Sequence, residues 1–160
     1  MSDLQCAATL LFVVADRDPD GEPDVGALVE SLRERRCAAL YAGDAPEATR
    51  TGDALADGLG LAVHPEPRLH ERREEEQDAD AVARVCALLA EIADEYRGET
   101  VAVVATAPLL QRALPTLAGN VPPLYGQGRS LSPGEAAEMR VDADGWLLTA
   151  WNGRRLDEAP

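Results

Sequence analysis

Leu11-Phe12-Val13-Val14-Ala15-Asp16-Arg17 and Val101-Ala102-Val103-Val104-Ala105-Thr106-Ala107 are the two stretches whose reading decides the fold. Each is an unbroken apolar run, rich in β-branched residues, that stops at a small or polar residue. Alternating polarity would mark a strand with one wet face, whereas an uninterrupted run marks a strand buried on both faces, as in a parallel sheet covered by helices. The segments between them read accordingly. The first strand is expected over residues 7–14. Asp24 is placed to cap a helix whose apolar positions Val25, Leu28, Val29 and Leu32 follow helical spacing. A short strand is predicted from Ala38 to Tyr41, a helix from Ala45 to Leu59 stopped by Gly60, and a strand from Leu61 to Val63.

A charged stretch from Arg68 to Asp80 divides the chain, and its expected state is a solvated loop or first helical turn. From Asp80 onward, Val82, Val85, Leu89, Ile92 and Tyr96 step by three and four, which predicts an amphipathic helix. The strand Thr100–Ala105 and a helix from Pro108 follow, proline being acceptable at a first helical position. Pro122 and Pro123 open an irregular segment, and Met139–Val141 with Trp146–Trp151 form a closing hairpin around Asp144-Gly145. The predicted architecture is a three-layer α/β sandwich with a mostly parallel central sheet and antiparallel edge strands near the C-terminus. A period of two sends Trp146 and Trp151 to opposite faces, one in the core and the other near the surface, lining a cleft or an interface.

The 160 residues fit one domain, 1–160, with a formal net charge of −14. Such acidity disfavours nucleic acid and anionic membrane surfaces, which demand a basic stripe. All fifteen basic residues are arginine. The absence of lysine excludes Schiff-base and Walker-type chemistry. Cys6, Cys37 and Cys86 stand singly in apolar surroundings, as expected of reduced, buried thiols in a cytoplasmic protein. No targeting segment is expected at the start, where an acid replaces the basic residues of a secretory signal. The lysine-free, Ala- and Arg-rich composition suggests a high-GC bacterium.

Several segments, taken together and in order, resemble the histidine phosphatase (phosphoglycerate-mutase-like) superfamily. Besides the two strand ends, Ala39-Leu40-Tyr41-Ala42-Gly43-Asp44-Ala45-Pro46-Glu47-Ala48-Thr49-Arg50-Thr51 is similar to that family's second strand and following helix. Pro67-Arg68-Leu69-His70-Glu71-Arg72 is similar to its L-x-E-R segment, and Gly145-Trp146-Leu147-Leu148-Thr149-Ala150-Trp151-Asn152 to its closing strand. The resemblance implies the family's fold but removes its chemistry. Asp16 stands where the nucleophilic histidine belongs, Ala15 and Glu47 where phosphate-binding arginines belong, and Thr106 where the second histidine belongs. Only Glu71 matches, at the position of the proton-donating carboxylate. The two histidines of the chain, His64 and His70, follow neither strand.

The implied ligand cleft therefore presents Asp16, Glu47 and Glu71 with Arg17, Arg50 and Thr106. Gathered carboxylates repel a phosphate and favour a cation, an amine or a neutral ligand, and neutralising Asp16 or Glu47 is expected to stabilise the fold. Two functions are compatible with this. One is a catalytically inactive phosphatase relative that binds a small molecule or a partner protein. The other is a repurposed enzyme of bacterial secondary metabolism in which Asp16 and Glu71 act as acid and base in a cyclisation, dehydration or isomerisation. A third reading takes Asp16-Arg17-Asp18 as the D-x-D motif of an aspartyl-phosphate-type phosphatase, but that chemistry needs a lysine. No cofactor and no metal are called for. Glu74-Glu75-Glu76 lacks the spacing of a calcium loop, and Gly126-Gln127-Gly128 is too short for a phosphate cradle.

Overall fold

The computed structural model describes residues 7–16, 25–69, 74–122, 125, 128–133, 135–142 and 145–156. Strands β1 (Ala8–Val14), β2 (Ala39–Ala42), β3 (Val63–Pro65) and β4 (Thr100–Ala105) alternate with helices α1 (Gly26–Glu34), α2 (Pro46–Leu59), α3 (Asp78–Glu95) and α4 (Ala107–Leu117). Strands β5 (Ala136–Asp142), β6 (Gly145–Trp151) and β7 (Arg154–Arg155) complete a seven-stranded sheet of order β3-β2-β4-β1-β5-β6-β7. β3, β2, β4 and β1 run parallel, whereas β5, β6 and β7 pair antiparallel.

The pleat of the sheet divides its apolar residues between two cores. Leu10, Phe12 and Val14 of β1 join Val101, Val103 and Ala105 of β4 on the face covered by Val85, Leu89 and Ile92 of α3 and Leu110 and Leu114 of α4. Leu11, Val13, Ala102 and Val104 point the other way, against Val29 and Leu32 of α1 and Leu55 of α2. The unbroken apolar runs are explained by this arrangement: Leu10, Phe12, Val13 and Val101–Ala105 are all fully buried because helices cover both sides. Gly60 ends α2 in the left-handed region (φ 69°), where glycine carries no Cβ penalty.

Several expectations are corrected. β3 starts at Val63 rather than Leu61 because its pairing partner is fixed: Leu40, Tyr41 and Ala42 face Val63, His64 and Pro65. α3 begins at Asp78, since Asp78 and Asp80 in the first turn suit the positive end of the helix dipole. α1 has Val25 at its cap with no side-chain bond, while Asp24 lies outside the described residues. Trp146 and Trp151 do not take opposite faces, for both pack against the α3/α4 core. The register slips between Glu138 and Met139, so that Met139 faces Leu148 and Glu138 faces Ala150, leaving Thr149 as an extra residue that inverts the alternation. Cys37 and Cys86 are half-buried rather than fully buried. Burial pushes both thiols up, against the lowering effect of backbone hydrogen bonds at Cys37, so neither is an activated thiolate. Cys6 lies outside the described residues.

Among the described residues no further helix covers the α1/α2 face beyond β1, where an ion pair lies instead. Arg35, just past α1, bonds the buried carboxylate of Glu138 on β5 at 2.6 Å, and Thr149 Oγ1 donates to the other carboxylate oxygen at 2.9 Å. Burial alone would raise the Glu138 carboxyl. The hydrogen bonds from Arg35 and Thr149, with the charges of Arg35 and Arg155, outweigh it and hold the group below its ordinary range.

Candidate functional site

A crevice forms in an α/β sheet where neighbouring parallel strands send their following helices to opposite faces. β1 and β4 are such a pair. Val14 faces Ala105, and the Ala15 N–H donates to the Ala105 carbonyl at 2.9 Å, so Asp16 and Thr106 leave from adjacent strand ends. The chain after β1 leads to α1 on one face, whereas β4 leads directly to α4 on the other. β2 flanks β4 on its far side, where the Gly43 N–H donates to the Val104 carbonyl at 3.0 Å. α2 opens from that strand end, with Glu47 in its first turn.

Thr106 is the most informative side chain at the crevice. It takes an extended conformation (φ −77°, ψ 152°) at the head of α4 and is 8% exposed. Its carbonyl accepts the Leu110 N–H in the normal helical way, yet its hydroxyl neither caps the helix nor finds any other partner among the described residues. A buried hydroxyl without a partner is costly and uncommon.

Asp16 is half-buried, and its backbone N–H donates to Thr51 Oγ1 at 3.1 Å. Thr51 lies one turn along α2 from Glu47 and is 2% exposed. Sequence reasoning quoted Thr51 within a family-like segment but gave it no role, because a threonine inside a helix carries no signal of a tertiary bond to a strand end 35 positions away. Glu47 and Arg50 are both half-buried on α2. The place of Glu47 in a first helical turn is favourable for a carboxylate, which opposes the expectation that neutralising it stabilises the fold.

The segment before Glu71 crosses over the end of β2. A Cβ built on Gly43 would lie 2.6 Å from the carbonyl oxygen of Leu69, so only glycine permits this approach. Leu69 is buried in the α3/α4 core. Arg84 of α3 donates to the Arg68 carbonyl at 2.8 Å and pairs with Glu76 at 2.7 Å, while Arg68 itself pairs with Glu66 and Glu91. Residues 70–73 follow directly, and Glu71 and His70 lie outside the described residues, as does Arg17. The structure thus brings together the backbones bearing Asp16, Thr106 and the Glu47 turn, and leaves Glu71 and Arg17 as expectations. His64 is exposed on β3, stacked on Tyr41 at 5.0 Å between ring centroids, away from both strand ends. Among the described residues no group of three or more His, Cys, Asp or Glu side chains is arranged to hold a metal ion, and no helix is long and apolar enough to cross a membrane.

No family model and no curated protein matches the sequence. Solved structures do. The native form of a mycobacterial glucosyl-3-phosphoglycerate phosphatase superposes with a TM-score of 0.70 at 17% identity, over 92% of this chain and 98% of that one. The same enzyme complexed with inorganic phosphate gives 0.65 at 18% identity, over 93% and 98%. YhfR of Bacillus stearothermophilus gives 0.73 at 16% identity, over 92% and 97%. The α-ribazole phosphatase of Shigella flexneri gives 0.64 at 13% identity, over 96% and 100%. At these identities the likeness establishes a common fold, that of the histidine phosphatases and phosphoglycerate mutases, across almost the whole of each chain.

Proposed function

We propose that this chain is a histidine-phosphatase-fold protein that transfers no phosphoryl group and instead binds a small molecule or a partner protein at the carboxyl ends of β1, β4 and β2. The observation that carries the reading is that Asp16 and Thr106 follow the adjacent strand ends of β1 and β4. A phosphohistidine cannot form where neither strand end supplies an imidazole, and an aspartyl phosphate would lack the lysine that holds the transferred group. Thr106 supports a binding role, because its buried hydroxyl, without a partner among the described residues, is a preformed polar contact at the head of a helix. The matching ligand accepts or donates one hydrogen bond at Thr106 and presents a donor or a positive charge to Asp16, which describes an amine or a neutral polar molecule rather than a phosphate.

Titration with orthovanadate, a phosphoryl transition-state mimic, tests this through the backbone amide resonances of Asp16 and Thr106. No saturable shift is expected at neutral pH up to millimolar concentration. Saturable shifts of both amides would show a retained phosphoryl site and end the proposal.

A further inference from the structure

A second cleft, of about 800 Å³, lies at the β6–β7 edge and shares no lining residue with the Asp16–Thr106 site. Its volume suits a small molecule. Its floor is aromatic: the Tyr125 and Trp151 rings meet edge-to-face at 5.5 Å, and the Trp151 indole N–H donates to the Arg129 carbonyl at 3.1 Å. Its rim is basic. Arg129, Arg154 and Arg155 all line it, and the Arg129 guanidinium carbon lies over the Tyr125 ring, 4.3 Å from its centroid. Ser130, Asn152, Gly153 and Leu156 complete the lining, with Asn152 fixed by accepting the Ser132 N–H at 2.8 Å and the Glu135 carboxylate lying against Gly153.

This clustering is unexpected in a chain with 29 acidic and 15 basic residues. Elsewhere Arg35, Arg68, Arg84, Arg97, Arg112 and Arg140 each reach a carboxylate. Among the described residues neither Arg129 nor Arg154 does. Arg129 spends one N–H on the Tyr125 carbonyl, at 3.0 Å, and the rest of its planar fork remains exposed. The like charges of Arg129 and Arg154 on one rim repel one another, and an anion bridging them relieves that repulsion while guanidinium forks match carboxylate geometry. The stacked guanidinium and the two rings recognise a flat apolar body.

We propose that this cleft binds a small aromatic anion, its carboxylate or equivalent acid group held by Arg129 and Arg154 and its ring seated against Tyr125 and Trp151. The site is independent of the strand-end site and does not rest on the function proposed for it.

The test is titration of the protein with 2-naphthoate, followed by the indole N–H resonance of Trp151. A saturable shift is expected, and Arg129→Gln or Arg154→Gln should each weaken binding by about tenfold, the size of one charge-assisted hydrogen-bonding partner. Both arginines are exposed, so both variants should melt with the wild type. Thr106→Val should bind as the wild type does. Absence of a saturable shift at millimolar 2-naphthoate would overturn the proposal. So would equal binding of the neutral 2-naphthamide, or a shift lost in Thr106→Val and retained in the arginine variants.

Discussion

Replacing Thr106 by valine exchanges a buried hydroxyl for a methyl group of similar size. Normally this substitution costs stability, because the hydroxyl has a partner to lose. Here Thr106 Oγ1 has none among the described residues, and α4 receives no side-chain cap from it. The extended backbone at Thr106 (ψ 152°) accepts a β-branched residue without strain. Removing an unsatisfied buried polar group recovers its desolvation penalty, about 1–3 kcal/mol. For a domain of this size each kcal/mol moves the midpoint by about 2–4 °C. Thr106→Val should therefore melt higher than the wild type by about 2–12 °C in calorimetry at neutral pH, and it should lose the ligand of the strand-end site. A lower melting temperature would refute the reasoning, since it would mean that the hydroxyl is already satisfied within the folded chain.

Three further substitutions probe the frame around that residue. Thr51→Val removes the acceptor of the Asp16 N–H and should cost about 0.5–1.5 kcal/mol in urea unfolding, whereas Thr51→Ser should retain most of the stability. Glu47→Gln removes a carboxylate from the first turn of α2 and should lower stability by about 0.3–1 kcal/mol at low salt; a rise would restore the view that carboxylate repulsion dominates the cleft. Arg35→Met leaves the Glu138 carboxylate buried without its cation and should cost about 1–2 kcal/mol, the lower part of the range because Arg35 is partly solvated. The same pair sets a pH dependence. Because the Glu138 carboxyl is held below its unfolded value, its contribution is complete above about pH 5 and is lost as pH falls through the folded value. Glu66, lowered by Arg68 against the opposing effect of its burial, acts in the same window. Acid melts of Glu138→Gln should accordingly be flatter below that pH than those of the wild type.

The fold was legible where residues speak for themselves. The apolar runs ending at Val14 and Ala105 announce buried parallel strands, and Gly60 announces the end of α2. Those runs also point to the candidate site, because the crevice of such a sheet lies at its strand ends. What stayed hidden depends on tertiary partners. The bulge at Thr149 inverts the two tryptophans, and no local pattern announces it. The Arg35–Glu138 pair joins residues 103 positions apart, and Thr51 becomes a site residue only through the Asp16 N–H. No local pattern marks Arg129 or Arg154, and it is β7, unforeseen in the sequence, that sets Arg154 at the rim of the cleft beside Trp151.

Whether the phosphatase fold persists here without phosphoryl transfer is decided by a steady-state assay of the purified protein with p-nitrophenyl phosphate, with and without Mg²⁺. No turnover above the buffer rate is expected under either condition. Turnover that persists across independent preparations and disappears in Asp16→Asn would contradict it, and would identify Asp16 as a phosphoryl acceptor.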